Sequence, residues 1–444
     1  MVLSCRAHLA AINQSSPPPW FSQAGSGRGL STGIARPRAA SVRRGHLAHR
    51  AGRHLVGAAR RLGRLPSRPR QPGPRERQMG PSAQPASAGA SSTSVPPVQR
   101  LHYPRREFSQ DPLGNLWDAL VTFVLWHYLL WGFAGGVASL LVYVFCVGPR
   151  WSVSWLLFHA AVAAYVVQLV VWRPQNRAGV PSWLWHSFRF ASVFESSLRY
   201  GDCTFIREMD PETEEAGTGA RYLFAWAPHG IMGVCRGGSG SGNWAKMYPG
   251  VYGMWGSFGA AFYLPGIREF SFLTGCVDAG RKTLARVADT ESIHLIPGGI
   301  REMLLTDPNS KVTRLCFRDR FGFVKLAWEK GLKLVPVFCF GEKFCYDKVL
   351  IRPAWLRKIL LRNQLTGTGL VGRFGCTFLP KNDKKLGWVF GRSIDPKKFG
   401  SYEQMHAYFL DEMARLFETY KAEFDYGVDE VLEIVNTDFT EKLD

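Results

Sequence analysis

Two long apolar runs stand out in the first half of the chain. Leu120–Val147 covers 28 positions and Trp151–Trp172 another 22, and neither contains a formally charged residue. Since an α-helix rises about 1.5 Å per residue, each run could cross a hydrocarbon core of about 30 Å. Only Gly148-Pro149-Arg150 separates them, which predicts a two-helix membrane hairpin over residues 115–175. A re-entrant hairpin and two buried helices of a soluble core are the alternatives.

Basic residues flank both ends of this hairpin. Arg105 and Arg106 precede it, and Arg173 and Arg177 follow it. Because Lys and Arg are enriched on the cytoplasmic side of membrane spans, both ends are predicted to lie in the cytosol. Arg150 at the tip argues mildly against this orientation.

After residue 200 the pattern changes to short apolar runs alternating with amphipathic segments. This pattern favours an α/β fold, a mixed or parallel sheet covered by helices, in a cytosol-facing domain over residues 176–444. The predicted strands are Tyr222–Trp226, Ile293–Ile296, Leu334–Phe340 and Trp388–Phe390, with helices near Arg281–Asp289 and Phe321–Lys330. Ser401 begins a capping box, and the helix after it carries apolar residues at helical spacing, namely Met405, Phe409, Met413, Leu416 and Tyr420.

Two further segments have the composition of a membrane interface. Pro181–Tyr200 combines aromatic residues with arginines, and Trp355–Leu365 has the pattern of a basic amphipathic helix. Rings at the headgroup boundary and cations near phosphates suit such a position. Core packing is the alternative for Pro181–Tyr200.

Charge is concentrated at the N-terminus. Residues 1–100 hold sixteen Arg, no Lys and no acidic residue except Glu76, so they supply +15 of the formal net charge of +20. Their many Ser, Pro and Gly residues cannot bury a core, which predicts a disordered arm, with an organelle transit peptide as the alternative. The other 344 residues carry only +5, so the high pI does not indicate nucleic-acid binding.

The nine cysteines are scattered without C-x-x-C pairs. This spacing indicates neither a zinc site nor a disulfide framework, and no metal is expected. Residues 236–242 are rich in glycine and serine but match neither a G-x-S-x-G elbow nor a nucleotide-binding loop, which argues against a serine hydrolase or a nucleotide enzyme.

The candidate chemistry lies at two turns that follow predicted strands. The first, Ala227-Pro228-His229-Gly230, places an imidazole where it can act as a general base near neutral pH; a plain hydrogen-bonded turn residue is the alternative. His294, within a strand, is better explained as a satisfied core residue. The second turn, Pro297-Gly298-Gly299-Ile300-Arg301-Glu302, could bring Glu302 to His229 and Arg301 to an anionic group; a surface Arg-Glu pair is the alternative.

Five blocks in this order give the chain a specific resemblance. The blocks span about 170 residues: Ala227-Pro228-His229-Gly230 with Ile231-Met232; Leu264-Pro265-Gly266-Ile267-Arg268-Glu269 leading to Gly275; Pro297-Gly298-Gly299 with Glu302; Arg320–Ala327 with Gly331, Leu334–Val337 and Phe340–Glu342; and Gly391-Arg392 with Ile394. In these blocks, and in the preceding hairpin, the chain resembles the type-two diacylglycerol acyltransferase family, which also contains monoacylglycerol and wax-alcohol acyltransferases.

The resemblance implies a glycerolipid acyltransferase-like enzyme of the endoplasmic reticulum membrane, multi-pass and with both ends cytosolic, or on the lipid droplet. It would move an acyl group from acyl-CoA, a substrate, to diacylglycerol, and no cofactor is expected. Acyl transfer to monoacylglycerol or a long-chain alcohol, and a non-catalytic lipid-binding protein, are the alternatives. The lipid bilayer is the expected partner, and a homo-oligomer is left open.

The resemblance also assigns roles to residues. It implies that His229 and Glu302 are catalytic. The candidate substrate-binding residues are Pro228, Gly230, Gly298, Gly299, Arg301, Arg320 and Gly322. Ala227 departs from the His or Glu that commonly begins the family tetrapeptide, so acceptor preference or rate could differ. The H-x-x-x-x-D spacing of broader glycerolipid acyltransferases is broken at Val234, which leaves Glu302 as the assisting carboxylate.

Overall fold

The computed structural model describes residues 97–437 with several gaps. Outside the description are 128–132, 143–144, 146–151, 177–192, 210–218, 240, 265, 354, 357–358, 360–367 and 377–378. Most of the predicted arm, the hairpin tip, most of the aromatic segment after residue 180 and most of Trp355–Leu365 therefore fall outside the described residues.

A mixed sheet of eight strands is the centre of the described part of the chain. Its strand order is β1-β2-β11-β8-β3-β6-β4-β5. In chain order all strands are β1 (Val98–Tyr103), β2 (Cys203–Glu208), β3 (Tyr222–Ala227), β4 (Gly253–Ser257), β5 (Cys276–Asp278), β6 (Ser292–Leu295), β7 (Val312–Cys316), β8 (Lys333–Phe340), β9 (Asp347–Leu350), β10 (Thr368–Val371), β11 (Gly387–Phe390) and β12 (Val431–Val435). β7 pairs with β12, and β9 with β10, in two small sheets.

Several helices cover the sheet and connect its strands, as the alternating pattern predicts. The helices of the described residues are numbered in chain order. They are α1 (Pro112–His127), α2 (Phe133–Val142), α3 (Val153–Val171), α4 (Val193–Tyr200), α5 (Ser241–Met247), α6 (Ile267–Leu273), α7 (Arg281–Val287), α8 (Gly299–Leu305), α9 (Gly322–Lys330) and α10 (Tyr402–Tyr420). The predicted mixed α/β sheet with covering helices is confirmed.

Strand direction decides which loops meet. β8, β3, β6, β4 and β5 run parallel, whereas β11 runs antiparallel to β8. The register pairs Ala227 with Phe338 and Leu223 with Ile293. Parallel strands end at one edge of a sheet, where α/β proteins bind their ligands. We call the edge at which β3, β6 and β8 end the carboxyl edge.

β3 is buried on both faces. Leu223 and Ala225 pack into the core beneath α9 and α10, while Phe224 and Trp226 pack into a second core that contains Trp244. Alternate side chains of a strand point to opposite faces, so a strand covered on both sides reads as a continuous apolar run. This explains why β3 could be predicted from its sequence alone.

The other predicted elements occur close to their predicted bounds. β6, β8, β11, α7 and α9 all form. The predicted capping box at Ser401 forms only in part: Ser401 Oγ accepts a hydrogen bond from Gln404 N at 3.3 Å, but the Gln404 side chain accepts from Gly400 N at 3.1 Å instead of from Ser401 N. The apolar stripe on α10 is buried. β1, which starts at Val98, includes the last three positions of the predicted arm 1–100.

The helices of the apolar N-terminal segment differ: one stretch is long enough to span a membrane, and α1 packs against the rest of the domain. Among the described residues, one stretch, Trp155–Asn176, is long and apolar enough to cross a membrane. α1 packs one face on α4 and buries Asp118 and Thr122. Its opposite face is exposed and apolar, and consists of Leu113, Leu116, Trp117, Leu120 and Val124. Since one such stretch, not two, is found among the described residues, the membrane hairpin with two spans stays a prediction.

Candidate active site

His229 lies at the carboxyl edge, two residues beyond β3. The Ala227–Pro228 peptide is cis, and Gly230 has a φ of 64°. Glycine adopts this left-handed conformation without a steric penalty, so the chain can turn back immediately after His229. Ala227, Pro228 and Gly230 are buried, and His229 is half-buried. The turn thus holds the imidazole at the rim of the domain.

The His229 ring has a defined proton arrangement. Its Nδ1 lies 3.2 Å from the carbonyl oxygen of Gly230. A carbonyl oxygen can only accept a hydrogen bond, so Nδ1 carries the proton in this contact and Nε2 keeps its lone pair. Gly233 adjoins the ring, since a Cβ at this position would lie 3.2 Å from His229 Cε1.

Glu302 holds the backbone of the same turn from beneath. Its fully buried carboxylate accepts a hydrogen bond from His229 N to Oε2 at 2.8 Å, and one from Cys316 N to Oε1 at 3.1 Å. The sequence suggested that the turn over residues 297–302 brings Glu302 to His229. The structure places its carboxylate on the main chain of His229, so it orients the residue through the backbone.

Burial shifts the pKa values of both His229 and Glu302. Loss of solvent lowers the pKa of His229 from 6.5 to about 4, so the ring is neutral at pH 7. Loss of solvent also raises the pKa of Glu302 from 4.5 to about 7, opposed by the N–H groups of His229 and Cys316, which favour the carboxylate. The site combines a neutral base with an acid that titrates near neutrality.

Gly298, the first of the paired glycines, makes room for Glu302. Gly298 has ordinary helical dihedral angles, φ −67° and ψ −36°, yet a Cβ there would overlap the Glu302 carboxylate. Gly299 has a φ of 55°. The Arg320 guanidinium donates to the carbonyl oxygens of Pro297 and Gly298. Gly298 and Arg320 therefore fix the turn in which Glu302 approaches β3.

A second buried glutamate, not assigned a role from the sequence, holds the far end of the His229 turn. Glu342 Oε2 accepts a hydrogen bond from Val234 N at 3.1 Å, and a Cβ on Gly230 would lie 2.9 Å from the same oxygen. Burial raises the pKa of Glu342 to about 8. One signal could have found it: Glu342 closely follows β8, the neighbour of β3, at the same edge.

Other predicted residues lie apart from this cluster or in the core. Arg301 is exposed on α8, and Gly322 is exposed at the start of α9, where a Cβ would meet open space. His294 is fully buried and its Nδ1 accepts a hydrogen bond from Trp226 Nε1 at 3.2 Å, which confirms that it is a core residue. Gly238 of the glycine-rich segment packs on the Trp388 ring.

The arrangement suits proton abstraction from a hydroxyl group. A neutral imidazole, whose Nε2 keeps its lone pair, stands at the rim on a turn held at both ends by buried glutamates. General-base catalysis needs a base of this kind within hydrogen-bond reach of the acceptor hydroxyl.

The chain is similar in sequence to several known proteins. Human diacylglycerol O-acyltransferase 2 is 27% identical over 329 residues, covering 67% of this chain and 78% of that protein. Human acyl-CoA wax alcohol acyltransferase 2 is 24% identical over 323 residues, covering 64% and 94%. The solved structure of the 1-acyl-sn-glycerophosphate acyltransferase PlsC from Thermotoga maritima covers 69% of this chain and 97% of its own, with 15% identity and a TM-score of 0.34, too low to support an argument.

The family assignment rests on the greater part of the chain. The diacylglycerol acyltransferase family model matches residues 154–435, which include β3, the His229 turn, Glu302 and Glu342. The resemblance inferred from the five sequence blocks is thereby confirmed. The chain belongs to the diacylglycerol acyltransferase family.

Proposed function

We propose that this chain transfers a fatty acyl group from acyl-CoA to diacylglycerol and so makes triacylglycerol, with His229 as the general base. Family membership and the similarity to diacylglycerol O-acyltransferase 2 support the reaction class. The single observation that carries the role of His229 is its ring at the carboxyl edge, with Nδ1 against the Gly230 carbonyl and a pKa lowered by burial.

The reaction is direct transfer. The acceptor hydroxyl oxygen attacks the thioester carbonyl carbon while Nε2 of His229 removes the hydroxyl proton. The C–S bond then breaks, and the imidazolium returns the proton to the CoA thiolate, giving free CoA and the ester. A ring with a depressed pKa gives up this proton readily. General-base assistance of this kind contributes roughly 10²- to 10⁴-fold.

Neighbouring groups have supporting roles in this scheme. Glu302 positions His229 through its backbone N–H. The backbone N–H groups of Gly230, Gly298 and Gly299 are candidates for stabilising the oxyanion of the tetrahedral intermediate. Pro228, Arg301, Arg320 and Gly322 remain candidate substrate-binding residues; of these, Arg320 contacts the glycine turn directly.

We assign this activity to the endoplasmic reticulum membrane or the lipid droplet. The hairpin over residues 115–175 would anchor the domain 176–444 on the cytosolic side, behind the arm 1–100. The length and hydropathy of Trp155–Asn176 and the exposed apolar face of α1 support a membrane anchor. Protease protection of N- and C-terminal tags in intact microsomes tests the topology: both tags should be digested, and protection of either contradicts it.

The acceptor hydroxyl has a second candidate. The similarity to a wax alcohol acyltransferase covers nearly as much of this chain as that to the diacylglycerol enzyme, which favours transfer to a long-chain alcohol or monoacylglycerol as the alternative. Microsomes expressing the chain would be given labelled oleoyl-CoA with diacylglycerol, monoacylglycerol or hexadecanol, and the dominant ester identifies the acceptor.

The same assay tests the base. His229→Ala should remain membrane-bound and lose roughly 10²- to 10⁴-fold in acyl transfer, because the base is absent. His102→Ala, at an exposed position on β1, is the matched control and should stay within about twofold of wild type, as surface changes usually do. Substantial ester formation by well-folded His229→Ala would contradict the mechanism, and no ester from wild type would indicate a non-catalytic lipid-binding protein.

A further inference from the structure

A cavity lies at the same edge of the sheet as His229. This cavity of about 620 Å³ is lined by three arginines, Arg105, Arg106 and Arg373, by one carboxylate, Glu107, and by Tyr200, Phe374 and Asn382, among others. Its size is typical of ligand pockets, which occupy roughly 300–1,000 Å³. We call it the arginine cavity.

The sheet register places the arginine cavity at the carboxyl edge. Phe340 at the end of β8 pairs with Gly387, Gly387 pairs with Thr204, and Tyr103 at the end of β1 pairs with Cys203. Arg105 follows β1, and Tyr200 precedes β2. Strand spacing is about 4.8 Å, so the cavity lies two to four strands, roughly 10–19 Å, along this edge from β3 and His229.

Two of the arginines are fixed in place by one buried residue. Arg105 Nη2 donates to the main-chain oxygen of Asn382 at 2.6 Å, and Arg373 Nη1 donates to its side-chain Oδ1. The Asn382 amide in turn donates to the carbonyl oxygen of Tyr200 at 3.1 Å. The guanidinium groups are therefore held before any ligand arrives, which reduces the entropy lost on binding.

Arg105 and Arg373 differ from Arg106 in whether a nearby carboxylate neutralises their charge. Arg106 lies 3.2 Å from Asp111 and 3.3 Å from Asp118. Among the described residues, neither the Arg105 nor the Arg373 guanidinium lies within 4.0 Å of a carboxylate oxygen. Arginine is well suited to bind phosphate, since it donates paired hydrogen bonds in a fixed plane. The cavity thus offers positive charge to a phosphate.

Exposed apolar rings stand beside these cations. Phe374 is 86% exposed and Phe108 is 61% exposed. The Arg373 guanidinium lies 4.9 Å from the Phe374 ring centroid. A planar base can stack on such a ring or guanidinium while its phosphates meet the arginines.

We propose that the arginine cavity binds the phosphate-bearing nucleotide end of the acyl-CoA donor. This rests on the proposed function, because it requires acyl-CoA as the donor. The extended pantetheine arm of CoA spans a distance comparable with that between the cavity and His229. The thioester would therefore reach Nε2 while the phosphates stay on Arg105 and Arg373.

Direct binding tests the cavity without catalysis. Full-length protein purified in detergent would be titrated with CoA itself by calorimetry. Arg373→Gln should weaken CoA binding at least about tenfold, the usual loss for a hydrogen bond to a charged group. His229→Ala should bind like wild type, and so should Arg281→Gln, whose side chain is 76% exposed on α7. Equal affinities for wild type and Arg373→Gln would overturn the proposal even if the enzyme makes no ester.

Steady-state kinetics then identify which part of the donor the arginine cavity binds. For oleoyl-CoA, Arg373→Gln should raise KM about tenfold and leave kcat within about twofold, since the contact is made before the chemical step. For oleoyl-pantetheine, which lacks the phosphates, wild type and Arg373→Gln should have the same KM. Phe374→Ala, which removes an exposed ring, should raise the KM for oleoyl-CoA less than Arg373→Gln does.

Anionic phospholipid is the competing occupant. If Arg373→Gln kept its KM for oleoyl-CoA but lost binding to vesicles that contain phosphatidic acid, the cavity would hold a lipid headgroup and the proposal would be wrong. If Arg373→Gln fails to fold, Arg105→Gln and Phe374→Ala give the same comparison, and unchanged KM values for both would overturn it.

Discussion

The two ends of the His229 turn are held by buried glutamates with different hydrogen-bonding demands. At the near end both oxygens of Glu302 accept backbone N–H groups, from His229 and Cys316. At the far end Glu342 accepts from Val234 N through Oε2, and Cys235 and the Trp388 side chain also favour its carboxylate, but its Oε1 makes no hydrogen bond of ordinary geometry within the described residues. Burial raises the pKa of Glu302 to about 7 and that of Glu342 to about 8.

This difference separates two ways in which a buried acid can support a site. Glu302 must be a carboxylate to satisfy two donors at once, whereas Glu342 can hold its proton at pH 7 and still accept one hydrogen bond. We infer that the charge of Glu302 matters for catalysis and that Glu342 contributes mainly shape. The following changes test that distinction.

Gly298→Ala should have the largest effect at the Glu302 end. The backbone of Gly298 suits alanine, but the added Cβ would overlap the Glu302 carboxylate. Glu302 would move and release the His229 N–H. A displacement of about 1 Å in a catalytic group can cost about 10²-fold, and that loss of acyl transfer is expected here. The control is Gly369→Ala on β10, whose Cβ would make ordinary contacts; equal activities of the two variants would contradict the role of Glu302.

Glu302→Gln should cause the next largest loss of acyl transfer. The amide has one acceptor oxygen, so one of the two N–H groups would face an NH₂ donor instead of an oxygen. Loss of a hydrogen bond to a charged group costs about 1.5–3 kcal/mol, which corresponds to roughly 10- to 10²-fold in kcat/KM. Microsomal acyl transfer measures this. Glu418→Gln, with a side chain 59% exposed on α10, is the matched control, and a Glu302→Gln variant as active as it would refute the inference.

The contrast between the two glutamates also shows what the sequence could reveal. β3, β6, β8 and β11 were predictable because strands covered on both faces are continuous apolar runs. β4 and β5, with the sequences Gly-Met-Trp-Gly-Ser and Cys-Val-Asp, were not predicted because they are short and weakly patterned. Membership of the sheet there depends on neighbouring strands, which no local pattern encodes.

The candidate site was predictable only in part. His229 and Glu302 could be named because each follows a strand at a turn containing glycine. That Glu302 reaches the backbone of His229, and that Gly298 is needed to admit it, depends on how closely α8 approaches β3. The link between Arg105 and Arg373 through Asn382 likewise joins residues far apart in the sequence.

The pH profile should report Glu302. Its pKa of about 7 means that lowering the pH from 8 to 6 converts the carboxylate to the acid, which can no longer accept both N–H bonds well. Wild-type acyl transfer should therefore fall about tenfold between pH 8 and pH 6. His229 stays neutral over this range because its pKa is about 4. In Glu302→Gln this decline in acyl transfer should disappear. If it persists, the pH dependence arises from the titration of another group.

Glu342→Gln should have the smallest effect on activity, within about threefold of wild type. The neutral amide resembles the protonated acid, and its carbonyl oxygen can still accept the Val234 N–H.

Glu342 also makes the stability of the protein depend on pH. In the folded state Glu342 keeps a proton up to about pH 8, whereas in the unfolded chain it releases that proton near pH 4.5. Wild-type stability therefore decreases as the pH rises through this window, and Glu342→Gln removes that contribution. Thermal unfolding in detergent at pH 6 and pH 8 should show a smaller difference in Tm for Glu342→Gln than for wild type. A large loss of acyl transfer in a well-folded Glu342→Gln protein would instead show that both ends of the turn require a charged carboxylate.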